Sequence, residues 1–211
     1  MTNAKHSSKS NDHGTPEDIV ESSRTVMGEI TLDPATSDVF NERVVKAKYW
    51  YTQEDNGLTK MWTLPFYDKG NEARSKVFLN PPGGTIEGYE CRSQAIVWWN
   101  KLLSEYDSNN VEEAIFIGFT IEQLGNKHSY RIFDFPMCIC NGSRSSDSVT
   151  STGRIKFLSE DESGELKEQS APTHSCFIVY LPPKDDPVIK QQKIQQFRLE
   201  FAKFGVARQF V

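Results

Sequence analysis

The run Val77-Phe78-Leu79-Asn80-Pro81-Pro82 carries an apolar stretch straight into an Asn-Pro-Pro turn. An amino group on a nucleobase or a side-chain amide is a poor nucleophile because its lone pair is delocalised. It improves when acceptors hold its hydrogens and steer the lone pair toward an electrophile. The Asn80 side-chain oxygen and the Pro81 carbonyl are two such acceptors. Pro81 and Pro82 together remove backbone donors and stiffen the turn, so the carbonyls stand in a fixed geometry. The chemistry this suits is methyl transfer to an amine. The same residue types also end a strand with no further purpose, and that reading stays open. Asp33, in Ile30-Thr31-Leu32-Asp33-Pro34, is a second candidate: a carboxylate at the tip of another apolar run. It either accepts from the amino group of a bound amino-acid moiety or caps an Asp-Pro turn.

Both candidates need strands to carry them. Thr15-Pro16-Glu17-Asp18 predicts a helix over residues 16–27, with the Thr15 hydroxyl as its cap, two carboxylates in the first turn and Gly28 closing it. Residues 29–32 read as a short strand, then Ser37 or Asp38 caps a second helix that stops before Tyr49-Trp50-Tyr51. Residues 52–75 read as loop, 76–79 as a strand, 90–106 as a long amphipathic helix, 113–119 as a strand and 120–124 as a short helical segment. This alternation predicts an α/β, Rossmann-like, mostly parallel open sheet with helices on both faces, in which ligands collect at the carboxyl ends of the strands. Asp33, Asn80 and Thr120 occupy such ends. Further strands are expected at 136–140, 154–158 and 176–181, separated by mobile loops at 143–152 and 159–173. A last helix is expected over 187–204, with Val188, Ile194, Phe197, Phe201 and Phe204 inward. Residues 1–14 have almost nothing to bury and read as a disordered tail, leaving one domain over 15–211.

Composition narrows the class. The chain has 211 residues, 37% of them hydrophobic, enough for a real core. It lacks an apolar run long enough to span a bilayer and a signal-peptide core, so a soluble cytoplasmic protein is expected. The formal net charge of -5 argues against bulk electrostatic coating of nucleic acid. The four cysteines, Cys91, Cys138, Cys140 and Cys176, show no disulfide rhythm, and Cys138-x-Cys140 reads as alternate faces of a strand rather than a zinc site; no metal is expected. Trp98 and Trp99 read as core residues of a helix, and His128 and His174 as loop bystanders.

Across residues 15–183 the chain resembles the phage-type DNA adenine N6-methyltransferases. The resemblance rests on the order and spacing of several pieces. They begin with Thr-Pro before the first helix, Gly28-Glu29-Ile30-Thr31-Leu32-Asp33-Pro34-Ala35, Lys46-Ala47-Lys48-Tyr49-Trp50-Tyr51-Thr52, and Asp55-Asn56-Gly57-Leu58 with Trp62. Val77-Phe78-Leu79-Asn80-Pro81-Pro82-Gly83-Gly84, Trp98-Trp99, Gly153-Arg154-Ile155-Lys156-Phe157 and Val179-Tyr180-Leu181-Pro182-Pro183 complete the pattern.

This resemblance implies a class I methyltransferase-like fold and transfer of a methyl group from S-adenosylmethionine to the N6 amine of adenine in DNA, in a bacterial host cell. The partner is an adenine-containing duplex from which the base is extruded. Asp33, Pro34 and Ala35 correspond to the first cofactor-binding motif and Asn80, Pro81 and Pro82 to the catalytic motif. Asp55 and Asn56 either meet the adenosine part of the cofactor or form a plain Asn-Gly turn. Gly83 and Gly84 follow the prolines where many relatives place an aromatic ring. Stacking on the base therefore falls to Tyr89, Phe119 or Phe157, each equally a core candidate. Arg154 and Lys156 are candidates for phosphate contact or solvated strand charges. Two other functions use the same site: methylation of protein glutamine amides, and non-catalytic binding of cofactor or DNA.

Overall fold

A computed structural model describes residues 13–67, 71–142, 146–168 and 173–209. Its centre is a seven-stranded mixed sheet. In spatial order the strands are β2 (Tyr49–Trp50), β1 (Leu32–Asp33), β5 (Ser75–Leu79), β6 (Val111–Gly118), β10 (Phe177–Leu181), β7 (Met137–Cys140) and β11 (Gly205–Arg208). The pairs β1–β2, β1–β5 and β5–β6 are parallel; β10 is antiparallel to both β6 and β7, and β11 is antiparallel to β7. Five strands therefore share one direction and β10 and β11 oppose them, a mostly parallel α/β sheet compatible with a Rossmann-like fold.

The chain leaves β1 toward β2 on one side, then returns on the other side as β5 and continues to β6. That reversal makes the gap between β1 and β5 a topological switch point, where open α/β sheets form a crevice. Leu32 pairs with Val77 and Val77 with Ala114, so β1, β5 and β6 deliver Asp33, Asn80 and Phe119 to the same end of the sheet.

Alternating side chains feed two cores, one on each face of the sheet. One packs α1 (Glu17–Met27) and α4 (Pro187–Glu200) against Phe78, Ile115, Ile117 and Ile178. The other packs α3 (Gln94–Asp107), through Trp98, Trp99, Leu102 and Leu103, against Val77, Leu79, Ala114 and Phe116. Both tryptophans are core, as helical spacing predicts. The carbonyl end of α1 is held from outside: Lys76 Nζ donates to Met27 O at 2.8 Å, Lys193 Nζ to Val26 O at 2.5 Å and Gln196 Nε2 to Thr25 O at 2.9 Å. Positive charge there complements the helix dipole. The same two lysines lie 3.5 Å from Glu113, a carboxylate only 1% exposed that also accepts from the Tyr180 hydroxyl at 2.6 Å.

Several expectations need correction. Pro16, not Thr15, is the N-cap of α1, and no side chain caps that end; the Thr15 hydroxyl is buried instead. Residues 154–157 do not form a strand, and Leu158 opens one that lies outside the seven-stranded sheet. Thr150 and Lys156 donate their N–H groups to Arg154 O and Ser148 O, both at 2.9 Å, so the segment folds back on its own neighbours while Ile155 and Phe157 enter the core. The acidic stretch contains a hairpin, β8 (Leu158–Glu160) with β9 (Leu166–Glu168), turned by Asp161, whose Oδ1 accepts from the backbone of Ser163 and Glu165. Burial of Val149 and a bond from Ser146 Oγ to Asp18 Oδ2 at 2.7 Å fix the later part of the Ser-rich loop; residues 143–145 and 169–172 lie outside the described residues. Of the expected tail, Gly14 is buried and exposed His13 lends its carbonyl to Asn80, and 1–12 lie outside the described residues. Cys138 and Cys140, two apart on β7, share one face and one core rather than alternate faces. Val188 is exposed, because the inner stripe of α4 starts at Ile194. The hairpin β3 (Leu64–Tyr67) with β4 (Asn71–Ala73) stands where loop is expected.

Candidate active site

One half of the candidate site is built on the tip of β1. Asp33 is 2% exposed, and its Oδ1 accepts the Ala35 N–H at 3.1 Å, so the carboxylate closes its own turn. Its backbone oxygen accepts from Tyr51 N at 2.9 Å and Tyr51 O accepts from Thr36 N at 3.1 Å, which carries the pairing with β2 past the strand end. The turn at Asp55, Asn56 and Gly57 lies directly on Pro34: a Cβ on Gly57 would stand 2.1 Å from the Pro34 carbonyl oxygen. Only glycine permits that approach. Trp62 Nε1 donates to Gly57 O at 2.9 Å, and the Trp62 ring stacks on Trp98 with centroids 6.2 Å apart, so the second core anchors the turn. Asp55 Oδ2 accepts from Thr52 N and Thr52 Oγ1, both at 2.9 Å; the backbone bond first and the hydroxyl second hold its pKa below the usual carboxylate value. Asn56, at φ 53°, supplies the left-handed step. The structure thus brings Asp33, Pro34, Ala35, Asp55 and Asn56 together, with both acidic side chains engaged in turns.

The other half follows the neighbouring strand β5: Asn80, half-buried, with Pro81 buried and Pro82 half-buried. Asn80 Nδ2 donates to the backbone carbonyl of His13 at 2.6 Å. A carbonyl only accepts, so the amide must present its NH2 to His13 and turn Oδ1 away from it. Gly14, the next residue, exchanges two backbone bonds with Leu158, at 2.9 and 2.7 Å. Thr15 follows, 1% exposed, its hydroxyl without a hydrogen-bond partner among the described residues. An orphaned buried hydroxyl costs about 1–3 kcal/mol.

Beyond the prolines, a Cβ on Gly83 would stand 3.9 Å from Phe119 Cζ, so the half-buried Phe119 ring lies beside the position where an aromatic side chain is missing. Gln94, at the start of α3, binds both glycines: Nε2 donates to Gly83 O at 3.0 Å and its N–H to Gly84 O at 3.1 Å. Phe157 is not brought to this place. It is 8% exposed and belongs to the core against which Phe119 packs, which removes it as a stacking candidate. Lys156 Nζ lies 3.5 Å from Glu168, and half-buried Arg154 sits in the folded-back segment rather than on a sheet strand. Exposed Tyr89 lines an open cleft of about 290 Å³ with Leu58, Asn100, His128 and Tyr130. A second cleft of about 380 Å³ lies between α4 and β11. Neither is lined by Asp33 or Asn80.

The contact that sequence reasoning missed is the His13 carbonyl. Every residue type carries that acceptor, so no side-chain signal marked it. Comparison with family models, curated proteins and solved structures finds no match, so the assignment of function rests on geometry and chemistry.

Proposed function

We propose that the chain is an S-adenosylmethionine-dependent DNA methyltransferase acting on the N6 amine of adenine, with a class I methyltransferase-like fold. The observation that carries the reading is the placement of Asn80 across the switch point from Asp33, its amide nitrogen occupied by His13 and its Oδ1 left as an acceptor. On this reading Asp33, Pro34 and Ala35, with the turn at Asp55 and Asn56, hold the cofactor, which supplies a methyl group on a positively charged sulfur. Asn80 Oδ1 and the Pro81 carbonyl accept the two hydrogens of the amine, holding its lone pair toward that methyl and stabilising the charge it gains. Phe119 offers its ring to the base, taking the place of an aromatic residue after Pro82. The amine is paired inside a duplex, so the base must be extruded to reach these acceptors.

The test is transfer of labelled methyl groups to unmethylated DNA. The wild-type chain labels DNA, and Asn80→Ala lowers kcat by about 10²–10³, the usual loss when one such charge-stabilising group is removed. DNA label undiminished by Asn80→Ala overturns the assignment. The net charge of -5 favours a second reading, in which the same acceptors hold a glutamine amide of a protein. Label found in protein and absent from DNA selects it.

A further inference from the structure

Resting on that reading, we infer that residues 13–15 are a positioning strap whose task is to set the orientation of the Asn80 carboxamide. A free carboxamide has two orientations related by a flip, and only one presents Oδ1 to an incoming amine; the other presents NH2, which repels it. The His13 carbonyl selects the productive orientation through its 2.6 Å bond to Nδ2.

The strap is itself held on three sides. Gly14 forms its paired bonds with Leu158 on β8, and Pro16 leads directly into α1. Against Gly14 lies Phe40, 4% exposed, so close that a Cβ on Gly14 would stand 2.3 Å from its Cδ1 and 2.4 Å from its Cε1. Phe40 ends the single helical turn α2 (Asp38–Phe40), and its N–H donates to Ser37 Oγ at 3.4 Å. Arg43, in the following π-helical turn, reaches the β8–β9 hairpin by donating Nη1 to Gly164 O at 2.6 Å. The hairpin and the Phe40 turn are therefore fastened to each other as well as to the strap. Any side chain at position 14 forces the strap off Phe40 and withdraws the His13 carbonyl from Asn80.

The experiment compares wild type, Gly14→Ala, Phe40→Leu and the Gly14→Ala/Phe40→Leu double variant. The first readout is the Asn80 side-chain NH2 signal in a 15N-labelled sample, identified as the one lost in Asn80→Asp. Wild type shows it protected from hydrogen exchange, Gly14→Ala loses the protection, and the double variant, with room restored, regains it. The second readout is methyl-transfer kinetics. Gly14→Ala lowers kcat about 10- to 100-fold while KM for DNA stays within about twofold, as misplacing a reacting group does, and the double variant recovers kcat. An unprotected Asn80 signal in wild type overturns the strap whether or not the variants fold. Unchanged protection and kcat in Gly14→Ala overturn it as well. A protected, Gly14-dependent signal in a protein that transfers no methyl group leaves the strap standing and rejects the methyltransferase reading.

Discussion

Asn80 illustrates how one side chain is given a direction by the backbone of a neighbour rather than by its side chain. The residue type and its place after an apolar strand are legible in the sequence, because Pro81 and Pro82 end the strand where a ligand-binding edge belongs. The direction of its amide is not, since a backbone carbonyl from residue 13 supplies it. Phe119 was one of three aromatic candidates, and only distance separates them. It lies beside Gly83, whereas Phe157 is core and Tyr89 is in a neighbouring cleft. If Phe119 stacks on the base, Phe119→Ala should raise KM for DNA about 5- to 150-fold, matching the 1–3 kcal/mol usual for base–aromatic stacking. Phe119→Tyr should leave it near wild type; steady-state kinetics on a short duplex measures both. Gly57 gives a stability counterpart. Gly57→Ala sets a methyl group 2.1 Å from Pro34 O, so the turn must move. A loss of about 1–3 kcal/mol is expected in denaturant unfolding and, if the turn holds the proposed cofactor, weaker thermal stabilisation by S-adenosylmethionine.

Elements with strong local patterns were readable: α1 between Pro16 and Gly28, α3 with its tryptophan stripe, and the strands that end at Asp33 and Asn80. Those that depend on partners elsewhere were not. Tyr49 and Trp50 make a strand because β1 offers them an edge, and Gly205–Arg208 makes one because β7 does. Ile155 and Phe157 alternate like strand residues, yet their segment pairs with residues 148–150 instead of joining the sheet. The contact between α1 and α4 is likewise a tertiary fact, expressed in Lys193, which bonds Val26 O and faces buried Glu113. Lys193→Met removes that bond and leaves Glu113 with Lys76 and Tyr180 as partners. Denaturant unfolding should show a loss of about 1–3 kcal/mol, the cost of losing a charged hydrogen bond, while Lys193→Arg loses less.

For the whole molecule, no described helix is long and apolar enough to cross a membrane, and the core that holds Cys176 and Tyr180 protects the neutral forms of both. Burial pushes the Cys176 thiol up to about 11 from 9.0. Burial first, and the nearby Glu113 carboxylate second, raise the Tyr180 hydroxyl above its ordinary 10.0. Raised values mean that the folded state binds these protons more tightly than the unfolded chain does. The stability they contribute is fully present below pH 9 and is lost as pH rises, first through the Cys176 range and then above pH 10 for Tyr180. Melting temperature should therefore hold up to about pH 9 and decline steeply beyond it. Cys176→Ala should flatten the decline between pH 9 and 11, and a melting series from pH 7 to 11 decides it.

The clamping of α1 by Lys193 and Gln196 has a consequence for biosynthesis. The helix that follows the strap is made well before residues 193 and 196, which hold two of its last carbonyls. During translation α1 has Lys76 on its carbonyl end but not Lys193 or Gln196 until α4 clears the ribosome, so a product that stops before residue 187 lacks the bonds from both. A chain that stops before residue 158 would carry the Asn-Pro-Pro turn without the paired bonds that seat Gly14.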